Sequence, residues 1–221
     1  MLEEKLIALK KQLTDYASLI EAMANKSIKG LITKDKNLLQ EVITADEPKA
    51  NHFEIEIDDH CTTMIAQYQP RARSLRTILM VLKMNNDLER MGDHAVNIAE
   101  SASFLIERPQ VKPFKDIPVM SDAVIGMLKD SIDAFINENA ALARTVLERD
   151  SVVDDFKCKI FVELKDIMST DPATVERSLH LIRISNNLER IADLSTNICE
   201  DVLFMVEGRV IKHHAEEEQQ Q

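Results

Sequence analysis

The sequence predicts an all-α fold, a tandem repeat of two three-helix bundles. Three observations predict it. Glycine and proline are scarce, 4 and 6 in 221 residues, which favours long helices joined by few turns. Apolar residues recur at alternating spacings of three and four, the period of a helix face. A fifteen-residue segment also returns one hundred positions later, the mark of an internal repeat.

Prolines set the element boundaries. Proline is tolerated in the first turn of a helix and breaks its interior. Pro48, Pro70, the trio Pro109, Pro113 and Pro118, and Pro172 therefore divide the chain into six helical segments. These are 2–46, 48–68 and 70–107, then 119–150, 151–168 and 172–207. The expected domains are a first bundle over 1–107, a linker over 108–118 (RPQVKPFKDIP), a second bundle over 119–211 and a polar tail over 212–221, expected to be disordered.

The third and sixth segments carry the clearest seams. Met84, Leu88, Met91, Ala95, Ile98, Ala102 and Leu105 form one; Ile184, Leu188, Ile191, Ser195, Ile198, Val202 and Met205 form the other. Aromatics make up 4% of the chain and tryptophan is absent, so the cores must be aliphatic, which suits helix packing.

Charge and cysteine content narrow the function classes. A net charge of −11 repels phosphate backbones and argues against a nucleic-acid partner. Cys61, Cys158 and Cys199 make no Cys-x-x-Cys pair and are odd in number, which fits a reducing compartment with each as a small buried apolar residue. The N-terminal MLEEKLIALKKQL is charged throughout, unlike a signal peptide, and no run approaches the ~20 apolar residues of a membrane span. The expected location is the cytoplasm.

The polar face is the most informative feature. Residues 86–100 (NDLERMGDHAVNIAE) and 186–200 (NNLERIADLSTNICE) are identical at eight positions, and only two of those, a leucine and an isoleucine, lie on the seam. Core maintenance alone would let the polar face drift. Asn86, Glu89, Asp93, Asn97 and Glu100 fall on one helix face, as do Asn186, Glu189, Asp193, Asn197 and Glu200. Like charges at i and i+4 repel, and no lysine interrupts either stripe, so the pattern suits a bound cation. Carboxylate and amide oxygens are hard donors. The preceding helix offers Asp150 and Asp154 in the second half and Glu47 and Asn51 in the first, so four side chains could converge in each repeat. Helix capping is the plainer reading of Glu47 and Asp150. The expected ligand set is thus Glu47, Asn51, Glu89, Asp93 and Asn97 in one repeat and Asp150, Asp154, Glu189, Asp193 and Asn197 in the other. The ion would be divalent or ferric: iron, manganese, magnesium or zinc. Counting carboxylates makes the second site the tighter one, because Asn51 is neutral.

Arg90 and Arg190 read as ion-pair partners of their acidic neighbours. Arg71, Arg73 and Arg76 form a small basic patch. His94 has Leu194 as its counterpart and reads as a hydrogen-bonded residue rather than a ligand. No His-Glu-x-x-His, Glu-x-x-His, phosphate loop or nucleophile elbow is present, so no enzyme is expected. Two other classes stay open from the residues alone: a carboxylate-bridged metalloenzyme and a purely structural dimerising bundle.

The segments LERMGDHAVNIAE and LERIADLSTNICEDVLFMVEG resemble the two signature helices of the PhoU family, and the resemblance extends through Tyr68-Gln69-Pro70 and the linker. It implies a PhoU-like pair of three-helix bundles with metal-binding Glu/Asp-x-x-x-Asp pairs. It implies negative regulation of the phosphate-starvation response by a cytoplasmic homodimer in peripheral contact with the inner face of the membrane. The implied partners are a PhoR-like sensor histidine kinase and the PstB-like ATPase of the high-affinity phosphate ABC transporter. The chain departs from the family pattern at Asn51, at Ala192 (opposite Gly92) and at Leu194 (opposite His94).

Overall fold

The computed structural model describes residues 2–207. Its order is α1 (Leu2–Thr33), α2 (Lys36–Glu41), a π-turn (Val42–Asp46), α3 (Glu47–Tyr68), α4 (Ala72–Ile106), α5 (Asp116–Ile136), α6 (Ala140–Thr170), a 3-10 turn (Pro172–Thr174) and α7 (Val175–Glu207). There is no strand among the described residues. The expected tail, 212–221, lies outside them. Among the described residues, no helix is long and apolar enough to cross a membrane.

The helix breaks differ from the proline reading in both halves. The first expected segment, 2–46, is interrupted at Lys34, which takes a left-handed φ of 56°. Asp35 then caps α2, accepting from the Asn37 and Leu38 amides. The second half breaks at 137–139, not at 150/151. Glu138 is left-handed at 52°, and the Asn139 side chain accepts from the Leu142 amide to start α6. Asp150 is therefore interior to α6 rather than at a helix start. Glu47 is not at a free helix end either, since its amide donates to the Val42 carbonyl five residues back. The linker is shorter than expected: α5 begins at Asp116 with Pro118 in its first turn, where proline is tolerated.

Each repeat is a long helix, a middle helix and a second long helix. α1 packs on α3 and α4; α5 packs on α6 and α7. The repeats join through α4 against α7 and α1 against α5. All seven seam residues of α4 are buried, and six of the seven on α7; Met205 is half-buried.

Burial shows how the repeats correspond. Leu13, Tyr16, Ile20, Met23 and Leu31 of α1 match the buried Ile117, Met120, Val124, Met127 and Phe135 of α5, all offset by 104. Leu39 and Val42 keep that offset to Ala143 and Val146, whereas Ala50, Ile57 and Cys61 match Val153, Ile160 and Leu164 at 103. The one-residue change falls in the π-turn, which holds one residue more than the α-helical turn it replaces. Packing differences are paired. A Cβ on Gly92 would stand 3.1 Å from Cδ1 of Ile20; the second repeat has Ala192, opposite Val124, which lacks that carbon. The Gly92/Ala192 departure is thus a steric exchange.

A buried ion pair reverses polarity between repeats. Lys26 on α1 holds Asp46 at 2.6 Å, and Asp46 is 1% exposed. The matching residues are Asp130 on α5 and Arg149 on α6, 2.5 Å apart.

Of the cysteines, Cys61 and Cys199 are buried, and burial pushes their thiols up to about 12. Cys158 is exposed, contrary to expectation, because it falls on the outer face of α6, where its counterpart Ile55 on α3 is exposed too.

Candidate functional site

Both polar stripes form as the spacing predicts, on α4 and α7, beside α3 and α6 respectively. Their surroundings differ. On α4, Glu89 is half-buried and Asp93 exposed. Burial raises the Glu89 carboxyl above its usual range, and the charges of Asp93 and Glu54 add to the rise against Arg90. Glu54, on α3, is absent from the expected ligand set. Its place on that helix is fixed by Asn85 of α4, whose amide donates to the Glu54 carbonyl at 2.9 Å and to Asp58 at 2.9 Å. The α3 residues in the expected set, Glu47 and Asn51, lie two turns and one turn nearer the helix start. A scan of the whole α3 face at three and four, rather than the Glu-x-x-x-Asn pair alone, would have reached Glu54.

Beneath this face sits Tyr16 of α1, fully buried and stacked on Phe53 with ring centres 5.4 Å apart. Its hydroxyl has no hydrogen-bond partner among the described residues. Burial raises its pKa, and the charges of Glu54, Glu89 and Asp93 raise it further.

The other end of the α4 stripe is taken. Asn97 accepts from Arg183 of α7 at 2.7 Å, and Glu100 lies 3.5 Å from the same guanidinium. Asn97 thus joins the repeats instead of facing an open site.

In the second repeat, Glu189 is 8% exposed and bound to Lys157 of α6 at 2.6 Å. Arg190 pairs with Asp193 at 3.0 Å and lies 3.7 Å from Glu189. Burial raises the Asp193 carboxyl, with Glu189 and then Asp154 contributing to the rise and Arg190 opposing it. Asp154 is exposed, Asp150 half-buried and Asn197 exposed. No lysine lies within the α7 sequence stripe; Lys157 enters it from the neighbouring helix.

Among the described residues, no three histidine, cysteine, aspartate or glutamate side chains stand close enough together to hold a metal ion as placed. The donor chemistry separates the repeats. In the first repeat, Glu89 carries a raised carboxyl pKa to which the charges of Asp93 and Glu54 contribute, and Arg90 alone opposes the rise. The Glu189–Asp193 stripe is already neutralised by an ammonium and a guanidinium.

A family model described as the PhoU domain matches residues 13–102 and again 117–202. The phosphate-specific transport system accessory protein PhoU homolog of Aquifex aeolicus is 37% identical over 204 residues, 92% of each chain. PhoU homolog 2 of Thermotoga maritima is 33% identical over 217 residues, 98% of this chain and 92% of that one. The crystal structure of PhoU from Pseudomonas aeruginosa superposes with a TM-score of 0.90 at 31% identity, covering 95% of this chain and 100% of that one. The phosphate transport system regulatory protein PhoU from Streptococcus pneumoniae shares the fold, with a TM-score of 0.87 at 23% identity over 96% of this chain and 100% of that one. The chain belongs to the PhoU family, with two PhoU domains in tandem.

Proposed function

We propose that this chain is a phosphate-transport accessory protein that represses phosphate uptake and the phosphate-starvation response. It acts in the cytoplasm as an adaptor between the cytoplasmic part of a sensor histidine kinase and the ATPase of the phosphate ABC transporter. The observation that carries this reading is the match of both repeats to relatives named phosphate-specific transport system accessory proteins, over nearly the full length of each chain. The retained polar face supports a regulatory rather than purely structural role, because helix packing does not require Glu89, Asp93, Glu189 or Asp193. The acidic stripe adds metal binding to the reading: hard carboxylate donors that repel one another are stabilised by a cation.

Deleting the gene is expected to leave phosphate-starvation genes switched on in high phosphate. Unchanged repression in the deletion strain would overturn the assignment. Elemental analysis of protein purified without chelators is expected to find iron, manganese, magnesium or zinc; metal-free protein that takes up none of these on dialysis removes the metal from the proposal.

A further inference from the structure

The repeats treat one place differently. In the second, the linker ahead of α5 lies against the last turns of α6. Lys112 is 8% exposed there, its ammonium held by Glu163 of α6 and 3.9 Å from Asp116. Glu163 and Asp116 correspond to His60 and Gln12, at the offsets of 103 and 104 that relate α6 to α3 and α5 to α1. In the first repeat those two residues meet directly. Gln12 donates its amide hydrogen to Glu56 at 3.2 Å, so its oxygen accepts from His60 Nδ1 at 2.8 Å. The residue corresponding to Lys112 is Ala8, a single methyl group in place of a lysine stem. Beside it, between the start of α1 and the end of α3, is a cleft of about 140 Å³.

The walls of this cleft have a definite chemistry. Leu9 and Met64, both buried, give it an apolar floor. Lys5, Thr63 and Tyr68 also line it, and the ammonium and the two hydroxyls make no hydrogen bond or ion pair with another described residue. None of the side chains lining it is acidic, in a chain of net charge −11. A largely apolar concavity with a few convergent polar groups is the form that small-molecule sites take. Its volume is near the ~150 Å³ that admits a benzene ring, so it suits a ring or a short alkyl chain. The second repeat indicates the sign of the head group: two carboxylates there hold an ammonium on an aliphatic stem. A lysine with two free hydroxyls and no carboxylate selects the opposite charge.

We propose that the cleft between α1 and α3 binds a small organic monocarboxylate, with its apolar body on Leu9 and Met64 beside Ala8 and its carboxylate toward Lys5 and Tyr68. The proposal is independent of the adaptor and metal readings under Proposed function.

Benzoate serves as the probe, with the full chain and the ring signals of His60 followed by NMR; a His60→Gln variant assigns them. Benzoate is expected to shift these signals saturably, with a Kd on the order of 1 mM. Lys5→Gln should weaken binding about two- to fivefold, and Lys11→Gln, an exposed lysine of the same helix outside the cleft, should leave it unchanged. Ala8→Leu fills the cleft from α1 and Thr63→Leu fills it from α3. Each should abolish binding, as read by saturation transfer to benzoate, with circular dichroism confirming the fold. Absence of a saturable shift at concentrations tenfold above the expected Kd overturns the proposal, as does binding that survives both filling variants. Benzamide, the neutral isostere, should bind more weakly than benzoate; equal binding of the two, or equal binding to Lys5→Gln and wild type, overturns the assignment to an anion.

Discussion

His94 Nδ1 and Asn187 Oδ1 lie 2.8 Å apart across the α4–α7 interface that joins the repeats. Asn187 donates its own amide hydrogen to the Arg183 carbonyl at 2.7 Å, so its oxygen is the acceptor and the histidine carries hydrogen on Nδ1. The corresponding pair on the other side of the repeat is Asp87 and Leu194, which cannot form this bond. His94→Ala leaves the buried Asn187 oxygen without a partner and is expected to cost about 1–2 kcal/mol in urea unfolding. A variant as stable as wild type would show that the bond does not hold the interface.

Asp87 gives the chain a pH-dependent stability. It is 7% exposed, and burial pushes its carboxyl up to about 6; the nearby charge of Asp201 adds to this, while Arg90 and Lys83 act against it. Lys83 is held by Asp201 itself, at 2.5 Å. Between the ordinary aspartate pKa and about 6, the folded state keeps a proton that the unfolded chain releases, so stability falls as pH rises through this window and levels off above it. Asp87→Asn, which copies Asn187, removes that penalty. The variant is expected to match wild type near pH 4 and to exceed it by on the order of 1–3 kcal/mol above pH 6. Chemical unfolding from pH 4 to 8 measures it; a variant less stable at pH 7.5 would make Asp87 a favourable ion-pair member.

Gly30 and Leu39 form a steric pair whose counterpart is Ala134 and Ala143. A Cβ on Gly30 would lie 2.5 Å from Leu39 Cδ2 and 2.7 Å from its Cγ. Gly30→Ala alone is expected to cost about 1–3 kcal/mol by overpacking, and Leu39→Ala alone about 2–5 kcal/mol through a cavity. The double variant reproduces the second repeat and should cost less than the sum, with a coupling of about 1 kcal/mol or more. Strict additivity in thermal unfolding would rule out the exchange.

The reversed ion pair makes a parallel test. Lys26→Asp leaves the buried Asp46 with Lys49, 3.3 Å away, and sets a second carboxylate beside it, at an expected cost of about 3–5 kcal/mol. Adding Asp46→Arg recreates the Asp130–Arg149 arrangement and should recover much of the loss. A double variant no better than the single would mean that the two sites differ in more than sign.

The elements that were legible in the sequence are those set by repeated side-chain chemistry. The α4 and α7 seams are long enough for helical period to dominate, and the Glu89–Asp93 and Glu189–Asp193 stripes come from that period. The breaks at Lys34 and Glu138 were hidden because each residue takes a left-handed conformation usually left to glycine, with Asp35 capping α2 and Asn139 capping α6. Punctuation by proline alone passed over both. Lys157 and Glu54 were missed for another reason: they reach the stripes from a different helix, and spacing within one segment carries no information about which neighbour supplies the counter-charge.

The π-turn at Val42–Asp46 also bears on how the repeats could diverge. An extra residue in a regular helix would swing everything after it by about 100°. Here the swing is absorbed within one turn, so Ala50, Ile57 and Cys61 point inward as Val153, Ile160 and Leu164 do, and Glu54 keeps the bearing of Lys157. The turn works like a shift of reading frame corrected at once, with only Asp46 left at the seam of the correction. Losing Thr44 should therefore regularise the helix and spare every face downstream, whereas losing a residue between Ile57 and Cys61 should turn the end of α3 out of the core. A change of length at this turn is taken up before the helix face that meets Glu89 begins.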